Sequence, residues 1–203
     1  MSANSDKWHV GEWLDYPASL LTQAEAALTS QDMDTTNNAL TTFWSVIQGY
    51  WQNAGTPAAQ GDMYTLTGKA LWLQGHALQV YQGQLIGNQA SSQDVQSAGD
   101  QAKKAFSDSQ AALAKAQSAY ASAGVDTTVA SRWAQTASDD VSTVDKITAQ
   151  AVQASKDTQP PGILDILKGN IPGLNIPLWI VPAAGIAVFF LPQILKSMAS
   201  GRR

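Results

Sequence analysis

Apolar residues recur along most of this chain at the spacing of helices. Leu20, Leu21, Ala24, Ala27 and Leu28 fall three and four positions apart, the period of a helix with one apolar face. They predict a first helix starting near Pro17, with Asp15 as a cap and proline accommodated in the first turn. Ser30 to Asp34 reads as a connector rich in capping residues. Leu40, Phe43, Trp44, Ile47 and Trp51 mark a second helix reaching about Asn53, and Gly55-Thr56-Pro57 closes it.

A third helix is expected from about Gln60 to Leu85. Met63, Leu66, Ala70, Leu73, Ala77, Val80 and Gln84 form its main stripe, and Leu71, Leu78 and Leu85 add a row at steps of seven. That face is broader than a two-stranded seam. Gly68, Gly75, Gly83 and Gly87 interrupt it, each weakening a helix interior by about 1 kcal/mol relative to Ala or letting another helix come close. Ser91-Ser92-Gln93-Asp94 opens a fourth helix to about Ala123, with Val95, Ala98, Ala102, Ala105, Ser109, Ala112, Ala116, Ala119 and Ala123 on one line, flanked by Phe106, Leu113 and Tyr120. After Gly124-Val125-Asp126, a fifth helix carries Trp133, Ala137, Val141, Val144, Ile147 and Ala151 and stops before Pro160-Pro161-Gly162. The last two helices, each about 45 Å long at 1.5 Å per residue, are joined by a short turn, which predicts an antiparallel hairpin. An Ala-rich seam buries little apolar area, so further packing is needed, against the first three helices or against other copies.

The C-terminal part follows a different pattern. No charged residue occurs between Lys168 and Lys196, and the run from Ile176 to Leu195 is almost wholly apolar. As a helix it spans about 30 Å, a hydrocarbon thickness. Its expected membrane-facing residues are Ile176, Leu178, Trp179, Ile180, Val181, Pro182, Ile186, Val188, Phe189, Phe190 and Leu191. Trp179 suits the interfacial belt at one end, and Lys196, Arg202 and Arg203 form a basic flank at the other. Pro177 fits a first turn and Pro182 a kink. The expected organisation is a helical domain over 1–159, a Pro/Gly-rich hinge with a short amphipathic turn over 160–175, and an anchor with a basic tail over 176–203. The fold class is all-α: a helical bundle with a long antiparallel hairpin, plus one C-terminal transmembrane helix.

Composition sharpens this reading. Charged residues make up 14% of the 203-residue chain, against roughly 25% in ordinary soluble domains. The net charge is -4. From Gly162 onward, however, Lys168, Lys196, Arg202 and Arg203 face only Asp165, which leaves the preceding body acidic. Such a body disfavours nucleic-acid binding, whereas the basic tail suits anionic lipid headgroups. Cysteine is absent, which excludes disulfides and thiolate metal sites. The first residues lack a basic stretch followed by an apolar run, so no cleaved secretory signal is expected. Trp8, His9 and Trp13 form a short amphipathic arm, expected to dock on the body or to meet an interface.

Candidate chemistry is sparse. His9 and His76 are the only histidines, and no phosphate loop, zinc-protease signature or nucleophile elbow is present. His76 reads as a packed or surface side chain. Asp139 and Asp140, pointing in different directions from one helix, read as a solvated face rather than a carboxylate dyad. No catalytic residue, cofactor, metal or small-molecule substrate is expected. In style the chain resembles small virion-associated membrane proteins of bacteriophages, with long Ala/Gln/Ser-rich helices, no cysteine and the apolar segment from Ile176 to Arg203. That resemblance implies a structural or assembly protein in a virion internal membrane or a bacterial inner membrane. Its expected partners are lipid and other structural proteins or copies of itself. The alternatives are a translocation conduit built from several kinked anchors, with Ala183, Ala184 and Gly185 permitting close packing, and a subunit whose last helix is buried in a protein assembly.

Overall fold

The computed structural model describes residues 10–156, 170–171 and 176–177. After a 3-10 turn at Glu12–Leu14 come five helices: α1 (Asp15–Thr29), α2 (Met33–Trp51), α3 (Pro57–Gly87), α4 (Ser92–Ser122) and α5 (Thr128–Lys156). Each of the five helices expected before residue 160 is present, with bounds shifted by a few residues. α1 begins at Asp15, so Pro17 lies inside its first turn, and Thr56 caps α3 through the N–H of Ala59, with Pro57 opening the helix. A two-residue antiparallel pairing joins β1 (Asn170–Ile171) to β2 (Ile176–Pro177). The anchor was expected to start as helix at Ile176; Ile176 and Pro177 are instead extended. Leu178 to Arg203, the rest of that expected helix, lie outside the described residues, as do Trp8 and His9. No helix among the described residues is long and apolar enough to cross a membrane.

The ends of α1, α3 and α4 share one device. Gln31, Gln89 and Gly124 have positive φ of 62°, 54° and 68°. Just beyond each, an N–H reaches back across the last turn: Asp32 to Ala27, Ala90 to Leu85 and Val125 to Tyr120, at 2.8–2.9 Å. A left-handed residue reverses the chain while satisfying carbonyls the helix leaves open. At the next helix start, the Asp32 carboxylate accepts the Thr35 N–H at 3.0 Å and the Thr35 hydroxyl at 2.6 Å. These bonds hold its pKa below the ordinary 3.8. Bonds from Thr128 do the same for Asp126 before α5. Because the folded-state pKa is depressed, this stability is present above the ordinary carboxylate range and is lost as pH falls through the lowered value. Asp32→Ala should therefore lower the melting temperature at pH 7, and the gap to wild type should narrow as pH falls below the ordinary carboxylate range; a gap independent of pH would exclude a charged cap.

α3 is the central element. α1 and α2 pack on one side of it, α4 on the other, and α5 lies chiefly along α4. The expected stripe from Met63 to Val80 is buried, and so are residues on the remaining faces, including Trp72, His76 and Gln79. Such all-round burial marks a core helix. The main cluster joins Leu21, Leu28, Leu40, Phe43, Leu66 and Leu73 with contributions from α4 and α5. The last two helices thus do obtain support from the first three. Trp13 is partly buried and packs against this core, with its ring centroid 6.2 Å from that of Tyr50.

The α3–α4 seam is antiparallel and very close. A Cβ added at Gly68 would stand 2.6 Å from Leu113 Cγ, and one at Gly75 2.6 Å from Phe106 Cε1. Gly61 faces the Tyr120 ring in the same way, and Gly99 faces Gln82 and Thr148. Gly61, Gly68 and Gly75 are thus holes at steps of seven that receive Tyr120, Leu113 and Phe106, knobs at steps of seven. At Gln82 and Gly99 the roles exchange: α4 supplies the glycine and α3 the large side chain. The Ser109 hydroxyl donates to the Gly68 carbonyl at 2.7 Å, which adds a polar pin beside the holes.

Candidate functional site

Most polar groups inside the bundle stand on α3 at helical spacing. Thr65, Lys69, His76, Gln79 and Gln82 are buried, and Trp72 continues the same stripe. Each meets a partner suited to it. Lys69 Nζ lies 2.7 Å from Glu25 of α1. Gln82 donates to Thr148 Oγ1 at 2.7 Å and to the Val95 carbonyl at 3.2 Å. At the N-terminal end, the Tyr120 hydroxyl donates to Asp62 Oδ1 at 2.8 Å, and Asp62 Oδ2 accepts the Gly11 N–H at 3.0 Å. Burial, reinforced by donation to Asp62, raises the Tyr120 phenol well above the ordinary tyrosine range.

The middle of the stripe holds the densest group. Trp72 Nε1 donates to Asp140 Oδ2 at 2.8 Å. His76 Nε2 lies 3.4 Å from the same oxygen, and neither His76 nor Asp140 has any exposed side-chain surface. His76 Nδ1 is 2.9 Å from Gln79 Oε1. An amide oxygen only accepts, so with this amide orientation Nδ1 carries the proton. His76 Nε2 and Asp140 Oδ1 then have no hydrogen-bond partner. Around them, the His76 ring packs edge-on against Trp72 and Phe106, with centroids 4.4 and 4.9 Å away, and Trp133 packs edge-on against Trp72 at 5.2 Å.

Asp140 therefore corrects the sequence expectation. Asp139 is exposed, as a solvated face requires, but Asp140 is fully enclosed. The signal was present in the spacing: Asp140 falls three residues after Ala137 and four before Val144, on the apolar stripe of its helix. His76 is packed, as its position within a helix stripe suggests. A carboxylate beside an imidazole has the groups of acid–base chemistry, but in this conformation a substrate has no path to either. What the arrangement does is place a buried polar contact between α5 and α3.

One groove opens between the start of α3 and the end of α4. Its volume is about 470 Å³, and its lining includes Pro57, Gln60, Tyr64, Lys115, Ser118 and Ser122. Lys115 Nζ stands 5.6 Å from the Tyr64 ring centroid, a cation–π contact that already uses the groove's one cation. Among the described residues, no group of three or more His, Cys, Asp or Glu side chains is placed to hold a metal ion. Of the residues assigned to the anchor, Ile176 lies in the short extended pairing, while Leu178, Trp179 and the others, with the basic flank Lys196, Arg202 and Arg203, fall outside the described residues. No family model, curated protein or solved structure matches the chain.

Proposed function

We propose that this protein is a non-enzymatic helical scaffold fixed to a lipid bilayer by its C-terminal apolar segment, acting as a structural component of a virion or envelope assembly. The observation that carries the reading is the uncharged stretch between Lys168 and Lys196, followed by Arg202 and Arg203. With Ile176 and Pro177 extended, the remaining apolar run from Leu178 to Leu195 covers about 27 Å as a helix, within the range of a membrane span. The bundle supports the same reading: its buried polar groups are used in joining helices, and the groove between α3 and α4 carries no reactive constellation. The resemblance to small phage virion proteins supports the setting.

Flotation on liposomes of mixed neutral and anionic lipid tests the anchor. The full chain should float and resist alkaline extraction, and the full-length variant Ile186→Asp with Phe189→Asp should remain at the bottom of the gradient. Each charge near the centre of a span costs about 3 kcal/mol. If the two proteins distribute alike, the segment is not inserted in lipid. Dye release from the same vesicles separates a scaffold, which leaves them sealed, from a conduit, which drains them.

A further inference from the structure

We infer that α5 is a release helix: it leaves the rest of the bundle as a unit while α1 to α4 stay folded, and the buried Asp140 sets how readily it does so. The inference concerns the bundle alone and stands whether or not the membrane reading does.

Three observations converge on α5. First, it lies along α4 and touches α3 at few places, whereas α3 and α4 are joined along most of their length. Second, its inner face is weak. Its two largest core-facing side chains, Trp133 and Ile147, are only partly buried, as is Val141. Those it buries are mostly small or polar, Ala130, Ala137, Ala151, Asp140 and Thr148, with Val144 as a larger apolar group. α3, by contrast, buries Met63, Leu66, Trp72 and Leu73 almost completely. Burial of apolar area is the main source of docking free energy, so α5 contributes less per turn than α3. Third, the buried carboxyl group of α5 is poorly served. Asp140 receives a single donated hydrogen bond, from Trp72, its Oδ1 receives none, and His76 Nε2 faces it at 3.4 Å without a hydrogen bond. A buried carboxylate needs several donors to offset its lost hydration, and a buried pair often stabilises less than apolar side chains of the same volume. The neighbouring Gln82–Thr148 bond has no such deficit.

When α5 leaves, Asp140 regains water, and Trp72, His76 and Phe106 lose their cover. Because the chain runs directly from α5 into residues 157–203, the helix that opens is also the link between the bundle and its C-terminal segment.

Hydrogen exchange of the full-length chain, resolved by segment, tests this. In wild type, amides of residues 133–151 should exchange at least roughly tenfold faster than those of residues 63–80, since a sub-global opening needs less free energy than global unfolding. Replacing the pair with apolar side chains, His76→Leu with Asp140→Leu, should slow exchange in α5 by roughly 5- to 30-fold. Asp140→Asn, which removes the charge and keeps the shape, should slow it less and serves if the double variant does not fold. The inference is overturned if α5 exchanges in step with α3 in wild type. It is equally overturned if the folded variants exchange at the wild-type rate or faster.

Discussion

Trp72→Ala is expected to lower the stability of the bundle by about 4 kcal/mol, the usual range for truncating a fully buried tryptophan being roughly 3–5 kcal/mol. Only 1% of Trp72 is exposed. Its ring lies against both His76 and Trp133, so no neighbouring element can collapse into the space. Among the described residues, the indole also supplies the only hydrogen bond that Asp140 accepts, and a buried carboxylate left without a donor adds to the loss. For a chain of this size the melting temperature should fall by roughly 10 °C. Trp72→Phe divides the effect, because it keeps most of the ring and removes the N–H. It should cost about 1–3 kcal/mol by urea denaturation, from the unmet carboxylate alone. Should Trp72→Phe match wild type, the 2.8 Å bond contributes nothing to folding and the role given to Asp140 fails with it.

The second large effect comes from the glycine holes, and it runs against helix propensity. Ala in place of Gly normally favours a helix by about 1 kcal/mol. At Gly75 the added methyl would stand 2.6 Å from Phe106 Cε1 and 2.8 Å from Cδ1 and Cζ. Phe106 is fully buried and packs against His76 on another side, so its ring has little room to retreat. Overpacking of this kind costs typically 1–3 kcal/mol, and Gly75→Ala should destabilise despite its propensity gain. Gly68→Ala should behave alike, and Leu113→Ala should relieve part of its cost. Gly49, in the exposed interior of α2, has nothing within 4 Å of an added methyl, so Gly49→Ala should stabilise by about 0.5–1 kcal/mol. Chemical denaturation of the three glycine variants gives the signs directly. A stabilising Gly75→Ala would mean that α3 and α4 are further apart than described.

These examples show which parts of the fold could be read from sequence. The number of helices, their order and their approximate ends follow from the apolar period and from caps such as Asp32 and Thr56, because both signals are local. The knobs Phe106, Leu113 and Tyr120 were visible as a row at steps of seven, and Gly68 and Gly75 as interruptions. That the two sets fit together was not visible, since it depends on the register of two separate helices. The α3 polar stripe was hidden for a similar reason. Gln79 and Gln82 look like surface residues until a second and third helix enclose them. Asp140 was misread because its neighbour Asp139 shares its chemistry but not its direction. The membrane segment was legible only as composition and length, the uncharged run between Lys168 and Lys196.

The antiparallel course of α4 and α5 has a mechanical consequence. A tether attached beyond Lys156 pulls on the end of α5 nearest the Ile86–Val95–Ala151 cluster and the Gln82–Thr148 bond. Load directed along the helix axis is shared by every contact of α5 at once. Load directed sideways falls on that end alone and then advances turn by turn towards Trp133. The same bundle is therefore stiff in one direction and yielding in the other, and the angle at which the chain leaves it decides how much tension it bears before α5 comes away.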